Sequence, residues 1–290
     1  MNKIKNRKIA KPQWLKKSLP RGGDYQKVRD LLSSAKLHTV CQEANCPNMF
    51  ECFTKSTATF MILGSVCTRN CRFCNILQKT PIPVDSDEPM RVAKAAQDLN
   101  LKYVVVTSVT RDDLDDGGAF QFANTINEIK STISDTIKIE VLIPDFQGNF
   151  KALKIVLDAK PDVLNHNIET VPSLYPTARP EANYQQSLDL FKNVKSIDSS
   201  MPVKSGIMVG LGETMEELEQ TMTDLYNNCC DIITIGQYLQ PTKNHLKVKT
   251  YYSPEEFKII EDKARQIGFK KIASGPFVRS SYNASDLFLK

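Results

Sequence analysis

From residue 57 onward the chain alternates short apolar segments with longer amphipathic ones, and this alternation limits the architecture more than any other feature. "TATFMIL" (57–63), "KYVVVTS" (102–108), "IKIEVLI" (137–143), "DVLNHNIE" (162–169), "VKSGIMVG" (203–210) and "DIITIGQ" (231–237) are mostly apolar or β-branched, as strands buried in a parallel sheet are. Between and after them the 3.6-residue period predicts helices over 90–100, 118–130, 149–159, 183–196, 214–228 and 253–268. The last opens with Ser253 as N-cap and Pro254 at its first position, and closes on Gly268. Six β-then-α units with right-handed crossovers make either an open doubly wound sheet or a barrel. Polar motifs follow strand after strand, which favours a barrel whose working face is its C-terminal rim. The expectation is therefore an α/β fold, an incomplete (β/α)6 TIM-like barrel over 57–268. Residues 1–56 and 269–290 form N- and C-terminal extensions that should cover its ends.

At 290 residues such a chain can bury a sizeable core, and no apolar run approaches the ~20 residues a membrane span requires. The opening "MNKIKNRKIAKPQWLKKSLPRGG" is basic but has no apolar core, so it does not read as a secretory signal. Its two prolines and single serine also disfavour a mitochondrial presequence, leaving a solvated arm or a landing surface for an acidic partner. A net charge of +5 without an aromatic-interleaved basic stripe argues against nucleic acid. Eight cysteines with no secretory signal point to metal or redox chemistry in a reducing compartment, most simply the cytoplasm.

Six of the eight fall between positions 41 and 74. In "CTRNCRFCNI", Cys67, Cys71 and Cys74 are spaced C-x3-C-x2-C on the loop after the first strand. Zinc modules come as C-x2-C pairs, so this spacing disfavours zinc. Three thiolates on one cuboidal cluster leave the fourth iron open to a small chelating molecule. The loop resembles the signature of the radical S-adenosylmethionine (SAM) superfamily, including an aromatic, Phe73, just before the third cysteine. The resemblance implies a 4Fe-4S cluster on Cys67, Cys71 and Cys74, whose open iron binds SAM and whose reduction yields a 5′-deoxyadenosyl radical. The barrel is that superfamily's fold as well.

A second triplet, Cys41, Cys46 and Cys52, is spaced C-x4-C-x5-C just ahead of it. With the first, it resembles the auxiliary-cluster motif of the lipoyl synthase family, which carries its remaining ligand at the far end of the chain. Here that end reads "GPFVRSSYNA", and the resemblance makes Ser281 the ligand of the fourth iron of a second 4Fe-4S cluster. An alkoxide is a harder ligand than thiolate and suits soft iron–sulfur chemistry less well, so it should detach more readily. A cluster with a detachable corner can be dismantled to give up sulfide. "KPQWLKKSLP", "SVTRDDLDDGGA", "NHNIET", "KSGIMVGLGE" and "QYLQP" resemble further signatures of the family, in its order.

The rim loops offer partners for SAM. Gly117 and Gly118 give backbone that a ligand can approach closely, although Ala119 stands where related enzymes have a glutamate for the methionine amine. In "NHNIET", strand alternation puts Asn165, Asn167 and Glu169 on one face, where amides and a carboxylate suit ribose hydroxyls. Arg179 is a forked donor suited to the methionine carboxylate. His38, His166 and His245 read as structural, and the adjacent Cys229 and Cys230 as core. The glycines of 206–213 lack the strand–turn–helix context of a dinucleotide fold.

No side-chain base can deprotonate an alkane at neutral pH, whereas a carbon radical can take its hydrogen. The resemblance therefore implies insertion of two sulfurs at carbons 6 and 8 of a protein-bound octanoyl-lysine to form the lipoyl cofactor, with the auxiliary cluster as sulfur donor. Arg279 would neutralise charge beside that cluster and the substrate. The implied partners are an octanoylated lipoyl carrier domain (a 2-oxoacid dehydrogenase acyltransferase subunit or a glycine-cleavage H protein), an electron donor such as flavodoxin or ferredoxin, and an iron–sulfur carrier that rebuilds the cluster. The competing readings are another radical SAM sulfur-inserting or methylthiolating enzyme, which would not supply "RSSY", an iron–sulfur scaffold or electron-transfer protein, which would not need the rim motifs, and an RNA-modifying enzyme, which the mild charge disfavours.

Overall fold

A computed structural model describes residues 10–16, 24–44, 46–54 and 59–289. Most of the basic opening segment, and with it the reading of that segment as an arm or landing surface, lies outside the described residues. The described N-terminal part holds α1 (Asp24–Ser34), β1 (His38–Thr39), α2 (Val40–Glu43) and α3 (Met49–Thr54). Next come β2 (Thr59–Ile62) and two short segments that pair with each other, β3 (Val66–Cys67) and β4 (Leu77–Gln78). The repeat continues through α4 (Glu88–Asp98), β5 (Tyr103–Ser108), α5 (Ala119–Thr132), β6 (Lys138–Leu142), α6 (Phe150–Asp158) and β7 (Val163–Asn165). It then runs through α7 (Tyr175–Ala178), α8 (Tyr184–Ile197), β8 (Val203–Val209), α9 (Met215–Asn227), β9 (Ile232–Gln237) and α10 (Pro254–Ile267). β10 (Lys271–Gly275) and α11 (Ala284–Leu289) end the chain's described part.

Local chemistry places these elements. Ser253 accepts from Glu256 N–H while the Glu256 carboxylate accepts from Ser253 N–H, a reciprocal cap that starts α10, and Gly268 ends it at φ 127°. Thr214 and Glu217 do the same for α9, and Asn149 and Asn183 cap α6 and α8. Every residue of β9 is buried, as expected of a strand covered on both faces.

The strands form one sheet in the order β1-β2-β5-β6-β7-β8-β9-β10, with every pair parallel except β1 on β2. Among the described residues the end strands β1 and β10 do not pair with each other, so the sheet is open, as in a partial barrel. It has two strands more than the repeat count anticipates: β1 pairs antiparallel with β2, and β10, beyond the expected boundary at 268, pairs in register with β9 from Lys271↔Ile232 to Gly275↔Gly236. A five-residue strand with no following helix of its own type carries little periodicity, which is why the repeat pattern passed over it. α11 then packs back on β10. Its Phe288 ring lies 6.1 Å from the Tyr103 ring, and Lys271 Nζ sits 5.4 Å above the Phe288 ring while donating to the Phe288 carbonyl.

The barrel interior is not wholly apolar. Glu140, on β6, accepts from Lys204 Nζ at 2.9 and 3.0 Å, from Asn165 Nδ2 at 3.0 Å and from the Tyr103 hydroxyl at 2.7 Å. Glu140, Asn165 and Lys204 are buried. Removing a single partner would leave a charge in the interior, so the group stands or falls together.

Candidate active site

The first cysteine triad lies on the loop that follows β2. Thr68 N–H donates to the Thr110 carbonyl at 3.1 Å, and Asp112 N–H donates to Thr68 Oγ1 at 3.1 Å. Arg72 N–H donates to Ala178 O at 2.9 Å, and Leu246 N–H donates to Arg72 O at 3.1 Å. His245 Nε2 donates to the Cys74 carbonyl at 2.8 Å. The strongest hold is Arg69, which forks onto Asp112 at 2.6 and 2.9 Å and onto Asp145 at 2.7 and 2.9 Å. Burial alone would raise the Asp145 carboxyl, but the Arg69 hydrogen bonds and charge outweigh it and hold that group well below the usual range.

Burial acts on two of these thiols. Burial, with the neighbouring Cys71 and Cys67, pushes Cys74 up to about 12. Burial also raises Cys71, against the opposing charge of Arg179. Arg179 is buried too. Its Nη1 donates to the Asn167 and Ile168 carbonyls at 3.1 and 3.3 Å, while its Nε has no hydrogen-bond partner.

The second triad stands on the N-terminal extension. Thr39 caps α2, which carries Cys41; Cys46 N–H donates to Cys41 O at 3.1 Å, and Cys52 N–H donates to Asn48 O at 2.9 Å. Burial, then the proximity of Cys46 and Cys52, pushes Cys41 up to about 12. These cysteines line a small pocket of about 20 Å³ together with Arg279 and Ser281.

Ser281 reaches that pocket on a strap, residues 277–282, which leaves β10 and lies across β8 and β9. Two glycines make room for it. A Cβ on Gly206 would lie 2.8 Å from both Asn167 Oδ1 and Ser280 Oγ, and one on Gly236 would lie 2.1 Å from the Val278 carbonyl oxygen. Tyr282 N–H donates to Arg279 O at 3.0 Å, so the chain turns with Ser280 and Ser281 at the tip. Ser280 Oγ donates to Asn167 Oδ1 at 2.8 Å. Burial lowers the Arg279 guanidinium, opposed by the facing charges of Cys46 and Glu169.

Both triads reach one cavity of about 430 Å³, the first through Cys74 alone and the second through Cys41 and Cys46. Cys41, Cys46, Arg279 and Ser281 line it beside Phe73 and Cys74, with Asn167 and Glu169 between. Much of the remaining lining is apolar, from Val40, Leu142, Ile207, Met208, Leu239 and Val278. Burial raises the Glu169 carboxyl, against the charge of Arg179.

Several expected site residues are thus together and others are elsewhere. Asn165 does not share the cavity with Asn167 and Glu169: β7 ends at Asn165, and its amide is taken by Glu140 in the barrel interior. Gly117 and Gly118 take positive φ of 60° and 91°, but a Cβ there would meet Phe146 at 2.9 Å and Leu63 at 2.3 Å. Their close approach is to packed side chains, and neither lines the cavity. Cys230 is buried as expected, whereas Cys229 is exposed, because the chain turns there at φ 70°. Of the histidines, His166 is buried and pushed down to about 4 by that burial, and His38 pairs with Glu43. Sequence reasoning passed over Arg69, Asp145 and Gly236, and gave Gly206 no part in seating the strap. A glycine in a β-branched strand does signal close backbone approach, and an arginine between cysteines invites a search for its carboxylates.

Among the described residues no three His, Cys, Asp or Glu side chains gather as the ligands of a single ion do. A cuboidal cluster instead takes one thiolate per iron. A cationic iron–sulfur core offsets the burial and mutual repulsion that raise Cys41, Cys71 and Cys74, and a small anionic ligand satisfies the unpartnered Arg179 Nε. The residues fit such groups.

Comparison with known proteins agrees. The radical SAM superfamily model matches residues 61–225, and the model of the N-terminal domain of lipoyl synthase of the radical SAM family matches residues 1–46. The chain is 54% identical over 280 residues to the lipoyl synthase of Alkaliphilus metalliredigens, covering 97% of this chain and 96% of that one. It is 55% identical over 276 residues to the lipoyl synthase of Caldanaerobacter subterraneus, covering 95% and 96%. Among solved structures, methylornithine synthase superposes with a TM-score of 0.55 at 15% identity, over 85% of this chain and 70% of that one. The [FeFe]-hydrogenase maturase HydG superposes with a TM-score of 0.55 at 13% identity, over 88% and 72%; these two likenesses concern the fold alone. With both cysteine triads opening onto one cavity and more than half its residues shared with such relatives over nearly its whole length, this chain belongs to the lipoyl synthase family of the radical SAM superfamily.

Proposed function

We propose that this protein inserts two sulfurs, at carbons 6 and 8, into an octanoyl chain amide-linked to a lysine of a lipoyl carrier domain. The observation that carries the reading is the single cavity bordered by both cysteine triads. Its volume of about 430 Å³ lies within the ~300–1,000 Å³ usual for small-molecule sites.

In this reading Cys67, Cys71 and Cys74 hold one 4Fe-4S cluster, and Cys41, Cys46, Cys52 and Ser281 hold the other. When bound, the first cluster and SAM supply hydrogen abstraction from an unactivated carbon, and the second supplies the sulfur. The chain's own part is placement. Arg179, which lies outside the cavity lining with its Nη1 on the Asn167 carbonyl, would offer its unpartnered Nε to the SAM carboxylate, and Glu169 and Asn167, which line the cavity, would serve the ribose hydroxyls. Phe73 serves the SAM side of the cavity, and Leu142, Ile207 and Met208 surround the octanoyl tail and keep water from it. Arg279, between Cys46 and Glu169, balances charge at the junction of the two halves. The N-terminal extension and the segment after β10 act as ligand-bearing arms on one catalytic barrel. The carrier is an acyltransferase subunit of a 2-oxoacid dehydrogenase or a glycine-cleavage H protein; flavodoxin or ferredoxin is the reductant, and an iron–sulfur carrier restores the donor cluster. No helix among the described residues is long and apolar enough to cross a membrane, and the proposed setting is the cytoplasm.

The test is anaerobic incubation of the cluster-loaded protein with SAM, a strong reductant and an octanoyl-lysine peptide, followed by mass spectrometry. A peptide carrying two added sulfurs is the expected product. Release of 5′-deoxyadenosine with the peptide unchanged would mean radical chemistry on a different substrate.

A further inference from the structure

The segment that carries Ser281 is tied at both ends to the segment that carries Cys52. At one end Asn48 Nδ2 donates to the Phe277 carbonyl at 2.7 Å. At the other the Tyr282 hydroxyl donates to Glu51 Oε1 at 2.8 Å. Asn48 is buried, and its own carbonyl accepts the Cys52 N–H, while Glu51 directly precedes Cys52. The turn closed by Tyr282 N–H on Arg279 O sits between these two ties.

We propose that Asn48, Glu51 and Tyr282 are positioning residues that bracket Ser281 against the auxiliary-cluster cysteines and so govern how firmly the serine corner is held. The inference rests on the reading of Cys41, Cys46, Cys52 and Ser281 as one ligand set. An oxygen ligand on a soft iron–sulfur centre is intrinsically the weak corner, so its occupancy depends on how closely the serine is kept at hand. A side chain fixed within bonding reach acts at a high effective concentration, and one on a loosened strap does not. The short segment Asn48–Cys52 supplies both the cysteine and the two anchors, so the fourth ligand cannot drift without breaking one of them.

The experiment uses the full-length holoprotein, 57Fe-loaded and saturated with SAM so that the first cluster is chelated. Mössbauer spectra are recorded before and during exposure to an iron chelator. Tyr282→Phe and Asn48→Ala are each expected to broaden or shift the signal of the serine-bound iron and to speed its extraction about five- to tenfold, the effect of losing one ordinary hydrogen bond. Glu51→Gln keeps a carbonyl acceptor for the phenol and is expected to stay within about twofold of the parent. An unchanged first-cluster signal in the same spectra reports that each variant is folded. If Ser281→Ala speeds extraction while Tyr282→Phe and Asn48→Ala do not, the bracket is refuted and the ligand set stands. If Ser281→Ala itself leaves signal and rate unchanged, Ser281 is not a ligand and the bracket falls with it.

Discussion

Gly236→Ala is the most revealing single-atom perturbation of this molecule. Gly236 is a strand residue without a positive φ, so alanine meets no backbone penalty of its own. The added Cβ, however, would sit 2.1 Å from the Val278 carbonyl oxygen and 3.2 Å from Arg279 Nη1. Carbon and carbonyl oxygen ordinarily meet at ~3.3 Å or more, so the strap must rise by roughly 1.2 Å. β9 cannot yield instead, because it is hydrogen-bonded on both sides, to β8 and β10. Overpacking of this kind costs about 1–3 kcal/mol, and a misplacement near 1 Å in a reacting array can cost ~100-fold in rate. The expected outcome is a small drop in thermal stability together with a roughly 100-fold loss of sulfur insertion, measured on the octanoyl peptide. Gly275→Ala is the control: its Cβ would meet Val278 Cγ2 at an ordinary 3.5 Å, and turnover should stay near the parent's. Parental turnover in Gly236→Ala would refute the claim that the strap's position against β9 sets the site.

Ser281→Cys is expected to retain iron yet lose turnover, since a thiolate corner does not detach; iron content and peptide mass check this together. Arg69→Met strands the buried Asp145 carboxylate and should destabilise the fold by about 3–5 kcal/mol, read from denaturant unfolding. The same pair sets an acid limit. Asp145 is held below its ordinary range when folded, so it binds its proton more readily when unfolded. Its contribution is full above the unfolded value near pH 4 and is lost as pH falls toward the depressed folded value. Unfolding titrations should show that acid slope in the parent and a shallower one in Asp145→Asn. Arg179→Lys loses the planar fork and should weaken SAM binding about tenfold, measured by equilibrium dialysis, while octanoyl-peptide binding holds.

What the sequence determined alone is whatever neighbouring residues decide between themselves. Strand and helix order followed from period and β-branching, and the start and stop of α10 were legible in Ser253, Pro254 and Gly268. Each cysteine triad was legible because its spacing lies within one loop or within the two short neighbouring helices α2 and α3 and the residues that join them. Tertiary structure decided everything that joins distant segments. Asn165 matches its neighbours by alternation, yet its amide is claimed by Glu140 on the preceding strand β6, a diagonal neighbour two residues from its register partner Leu142. Gly117 and Gly118 were legible as special backbone, but that their approach is to Phe146 and Leu63 is a matter of packing. Asn48 and Phe277 stand 229 residues apart and meet only because the open sheet leaves its last strand free to send a strap back across β9 and β8. Periodicity and spacing carry no information about such a meeting, since its cause is the room left by two absent side chains, at Gly206 and Gly236.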